Sequence, residues 1–148
     1  MGWSFRVFLV EPDDSLIRIP NAVYERMYDN PADHPLPQYS GRQVRIAMAV
    51  VELRDRRPVR VAHITTELWR FDANGLLDVE SLRRMPAAIM DELMRGLARR
   101  DDNSNVIDRR ERFFLRGMRW KLSTSLERKI EQAALGSLVT PALRSPKG

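Results

Sequence analysis

The stretch from Arg109 to Lys121, RRERFFLRGMRWK, holds six cations and one carboxylate interleaved with two phenylalanines and a tryptophan. Wound as a helix at about 100° per residue, it sorts by side-chain type. Ile107, Phe114, Leu115, Met118 and Leu122 fall on one side as a core stripe. Arg109, Arg112, Arg116 and Arg119 fall opposite, with Phe113 and Trp120 beside them. A strand would mix charged and apolar groups on each face, so a helix is expected over 106–122. Gly117 weakens it by about 1 kcal/mol relative to Ala. Guanidinium forks bind phosphates bidentately, and aromatic planes stack on unpaired bases at about 1–3 kcal/mol each. The chemistry this pattern suits is nucleic-acid contact. A second basic stretch, Arg54, Arg56, Arg57 and Arg60, lies at the tip of an expected hairpin, and two-stranded ribbons can enter a major groove. Two other readings use the same residues. One is a solvated arginine face with Arg–Trp contacts inside the chain. The other is a homo-oligomeric or protein-interaction surface, since Trp and Arg are favoured interface anchors.

Catalytic and metal chemistry finds little support. His63 and Glu67 share a strand face, but four residues at about 3.3 Å put their Cα atoms roughly 13 Å apart, too far for a direct acid–base pair. His34 lies near Asp29 and Asp33 in a proline-rich loop. With two histidines and no cysteine in the chain, a structural zinc site is not expected. Asp13 and Asp14 read as turn formers, and Glu11 does not complete a calcium loop. There is no glycine-rich phosphate cradle, serine elbow or HExxH helix. The expectation is therefore a non-catalytic binding module without metal or cofactor.

The elements that must position these residues follow from patterning. At 148 residues and 43% apolar content the chain fits one domain with one core. The absence of cysteine removes disulfides and thiolate chemistry and suits a reducing compartment. No export signal and no spanning apolar run is visible, so a soluble cytoplasmic protein without membrane contact is expected. The net charge of +5 is uneven: −3 over residues 1–41, +4 over 42–71, −2 over 72–103 and +6 over 104–148. These blocks either neutralise one another in the fold or converge into one positive face.

Trp3, Phe5, Val7 and Leu9 alternate as one face of a first strand, and Leu16 to Ile19 returns as a second. Asn21 is the expected N-cap of a short helix ending near Tyr28. A loop of prolines spans 29–41. Residues 42–71 form a hairpin turning around Asp55-Arg56-Arg57-Pro58. One face carries Val44, Ile46, Met48, Val50, Val61, His63, Thr65, Glu67, Trp69 and Phe71. The other carries Arg45, Ala47, Ala49, Val51, Arg60, Ala62, Ile64, Thr66, Leu68 and Arg70, mostly small apolar residues that let a helix lie close across it. A helical pattern from Val79 to Arg100 is the expected cover. Thr124 with Glu127 matches a capping box for a last helix, with Gly136 as its terminator. The expected fold is α+β, an antiparallel sheet of about four strands in the N-terminal half packed by C-terminal helices. Residues 1–135 form the domain and 136–148 a flexible tail.

Overall fold

The computed structural model describes residues 2–78 and 120–143. The fold is α+β, as the patterning predicts. Strands β1 (Gly2–Val10), β2 (Leu16–Ile19), β3 (Gln43–Arg54) and β4 (Arg57–Arg70) form one antiparallel sheet in the order β2–β1–β3–β4. Helix α1 (Asn21–Asp29) lies on one face and helix α2 (Thr124–Ala134) on the other, so the sheet carries a core on each side.

The first core gathers Val7, Leu9, Val44, Ile46, Met48 and Trp69 under α1 and the proline segment. That segment is not a hanging loop. Pro31 and Pro37 each open a 3₁₀ turn, at a position where a fixed φ and a missing N–H cost nothing. The second turn drives Tyr39 into the core behind the buried Leu36. Gly75 locks this segment to the turn after β4. Its φ is +78°, and a Cβ there would stand 2.7 Å from the carbonyl carbon and oxygen of Leu36, so only glycine fits. The Leu36 N–H donates to the Gly75 carbonyl at 2.8 Å. Asn21 is not the N-cap expected of it. Pro20 holds that position, while Asn21 opens the helix and donates from Nδ2 to the Phe5 carbonyl at 3.0 Å.

On the second face, Ala47 and Ala49 are fully buried and let a helix approach closely. The helix there is α2, through Leu126, Ile130 and Ala134. The segment expected in that place, 79–100, lies outside the described residues. The α2 cap also falls one residue before the expected box: Ser123 Oγ accepts from the Leu126 N–H at 3.2 Å. At the other end Gly136, at φ +84°, closes a Schellman motif, with the Ser137 N–H donating to Gln132 and the Gly136 N–H to Ala133.

The described chain continues past the expected boundary at 135. Beyond Gly136 the chain wraps around the β2 edge, where the Arg18 N–H donates to Pro141 and the Leu143 N–H donates to Arg18, at 2.8 and 2.7 Å. Leu143 enters the first core at 7% exposure. An edge strand leaves a row of backbone groups unpaired, and this segment satisfies them. The β3–β4 register also departs from expectation near its turn. Val44↔Trp69 and Val50↔His63 pair as predicted, but irregularities follow Val50 and Glu52. Val51 then faces Val61, Glu52 faces Arg60 and Leu53 faces Pro58, leaving Ala62 and Val59 as the extra residues of two bulges. The turn itself is Asp55-Arg56, both at positive φ (52° and 65°), the handedness that matches strand twist. Each bulge exchanges faces. Val61 therefore joins the alanine face and Arg60 leaves it. Among the described residues no helix is long and apolar enough to cross a membrane.

Candidate nucleic-acid interface

The hairpin tip gathers Arg54, Arg56 and Arg57 on the solvent side of the sheet's end, with Arg60 one bulge further along β4. Glu52 organises two of these. Its carboxylate, only 8% exposed, accepts from Arg60 Nε at 3.0 Å and lies 3.8 Å from Arg54 Nη2. Arg54 itself remains 69% exposed. Arg56 and Arg57 are exposed and make no ion pair with any described residue. The shifted register brings an aromatic ring to this cluster. Trp3 pairs with Glu52 across β1 and β3, and Arg60 pairs with Glu52 across β3 and β4, so the three side chains form one row. The Arg60 guanidinium lies 5.8 Å from the centre of the Trp3 ring, within cation–π range. The local sequence around the arginines holds no hint of Trp3. Only the β1–β3 register reveals it, since the alternation in 3–9 assigns Trp3 a strand face and no neighbour.

The width of this end bears on what it can touch. Strand β1 flanks β3 as far as Leu53, so only the turn residues extend beyond a sheet at least three strands wide. Three strands at about 4.8 Å spacing put the outer backbones roughly 10 Å apart before side chains are counted. A major groove is about 12 Å wide. The tip therefore stands on a three-stranded end rather than on an isolated two-stranded ribbon.

Trp120, the described member of the 109–120 set, occupies a different place. Residues 120–122 are not helical. The Trp120 indole N–H donates to the carbonyls of Ile46 and Glu67 at 3.1 and 2.9 Å, and Thr66 Oγ1 donates to the Trp120 carbonyl at 2.9 Å. Arg45 stacks 5.1 Å from its ring centre. Arg45 Nη2 also donates to the Glu11 carbonyl and to Asp14 Oδ1, both at 2.7 Å, while Lys129 Nζ donates to the Asp14 carbonyl at 2.7 Å. Trp120, Arg45 and Lys129 thus clasp the β1–β2 turn to the sheet. Ile46 lies eight positions along β3 from Arg54, about 26 Å away. The structure therefore does not bring Trp120 to the hairpin tip. Arg109, Arg112, Phe113, Arg116 and Arg119 lie outside the described residues.

The remaining candidates have ordinary settings. Asp13 accepts from the Ser15 N–H at 3.0 Å and hydroxyl at 2.6 Å, bonds that stabilise its carboxylate and hold its pKa below the usual range. Tyr39 donates to Glu11 Oε1 at 3.1 Å. Burial, then the Glu11 charge, push its hydroxyl up to about 12, so it stays a neutral donor. Glu67 accepts from the Trp69 indole at 2.9 Å. Among the described residues no group of three or more His, Asp or Glu could hold a metal ion. Compared with family models, curated proteins and solved structures, the chain matches none of them.

Proposed function

We propose that this protein is a non-catalytic binding module of the cytoplasm that holds nucleic acid by its phosphates at the β3–β4 hairpin tip. The observation that carries this reading is the pair Arg56 and Arg57, exposed at the sheet's end and without an ion pair among the described residues, beside a half-neutralised Arg54. Arginine suits phosphate because its planar fork bonds two oxygens at once. The absence of cysteine fits a reducing compartment. Self-association through the Trp120 face is the alternative. The tip is better supported, because the Trp120 N–H and ring are both engaged within the chain.

Filter binding of an oligonucleotide over a salt series tests the reading. Each neutralised phosphate contributes about −0.7 to the slope of log K against log salt on a single strand and about −0.9 on a duplex. Three arginines therefore give a slope of about −2 to −3, and Arg56→Gln with Arg57→Gln flattens it by about 1.4 to 1.8. No binding at low salt, or an unchanged slope in the double variant, discards the proposal. A dimer in sedimentation that Trp120→Ala dissolves supports the alternative instead.

A further inference from the structure

We infer that the nucleic acid taken at this end is single-stranded, with a base stacking on Trp3 while the tip arginines hold the flanking phosphates; this rests on the phosphate-binding reading above. The protein has three tryptophans, and the structure uses them differently. Trp69 is 1% exposed and donates to Glu67. Trp120 donates to two strand carbonyls. Trp3 is half-buried and stands outside both core clusters, and its indole N–H makes no hydrogen bond among the described residues. A tryptophan committed to a core normally finds a partner for that N–H. Trp3 therefore keeps polar and π-stacking capacity at the point where Arg60 already orders one guanidinium against its ring.

The placement is suited to a flexible strand. Trp3 and Arg60 flank Glu52 in one row across the sheet, and the turn carrying Arg56 and Arg57 begins a few residues further along β3. A single strand can bend from one to the other, exposing a base face to the ring and its phosphates to the cations. Aromatic rings with adjacent cations are the usual platform for such strands, and stacking tolerates any base. A duplex keeps its bases stacked inside, away from the Trp3 ring.

The experiment compares a labelled twelve-nucleotide oligo-dT with a hairpin duplex of equal phosphate number, by fluorescence anisotropy at low salt. The wild-type protein is expected to favour the single strand by about tenfold. Trp3→Ala is expected to weaken that binding about tenfold, Trp3→Phe to stay within about threefold, and the Arg56, Arg57 double variant to weaken toward both ligands alike. Because Trp3→Ala removes a large side chain, intrinsic fluorescence supplies a second readout: oligo-dT quenches the wild type, and the quenching disappears in the folded Trp3→Phe. Equal affinity for the duplex, or binding and quenching indifferent to Trp3, overturns the single-strand inference while leaving phosphate binding intact. Binding of neither ligand overturns both.

Discussion

His63 illustrates how one residue's setting reaches the behaviour of the whole chain. It lies on β4 opposite Val50, and burial pushes its imidazole down to about 4. The free value is about 6.5. Between these limits the unfolded chain binds the proton that the folded one refuses, so stability rises with pH across that window. The contribution is complete above about pH 6.5, falls as the pH drops, and amounts to roughly 2–3 kcal/mol lost by pH 4. Urea midpoints at pH 4.5 and 7 should therefore separate widely in wild type and less in His63→Leu; an equal separation would contradict this burial. The sequence placed His63 correctly, on the face with Val50. It could not show the loss of basicity, which depends on how much protein surrounds the ring. The same limit applies to Trp3: alternation assigns its face, but not how far along that face the core extends.

At the scale of elements, the small-residue face of β3 was the most legible feature. Ala47, Ala49 and Val51 announced a closely packed helix, and α2 lies there. The segment expected to cover it, 79–100, lies outside the described residues, and α2 is the helix described there. Ala49 is fully buried in the cluster that α2 joins, so Ala49→Leu should overpack it and cost about 1–3 kcal/mol in chemical denaturation. Wild-type stability in that variant would mean that α2 is not seated as described. The α2 cap moved by one residue from its expected position because Ser123 and Thr124 are chemically equivalent candidates, and only the chain's entry angle chooses between them. The bulges at Val59 and Ala62 were hidden more deeply. Val61 and Ala62 are both apolar, so either satisfies the alanine face, and a period of two does not say where an extra residue is absorbed. That small ambiguity decides the site, because it carries Arg60 from one side of the sheet to the other.

At the scale of the whole molecule, the alternating charge blocks resolve both ways at once. Arg45 pairs with Asp14 and binds the first basic block to the acidic one before it, whereas Arg56 and Arg57 of the same block stay unpaired among the described residues. Composition shows the excess but not its direction. Strand β3 is central, with neighbours on both edges and a core on both faces. Its amides from Ile46 to Val51 should exchange with solvent only on global unfolding, more slowly than those of α1. Faster exchange there than in α1 would contradict the two-sided core. The wrap of residues 141–143 around β2 has a consequence in time. Synthesis reaches Arg70, completing the strands, 73 residues before it supplies Leu143. At about 5–20 residues per second that is a lag of roughly 4–15 s. During it a nascent sheet lacks Leu126 and Ile130 on one side and Leu143 on the other, and is a natural client for whatever guards emerging chains at the ribosome.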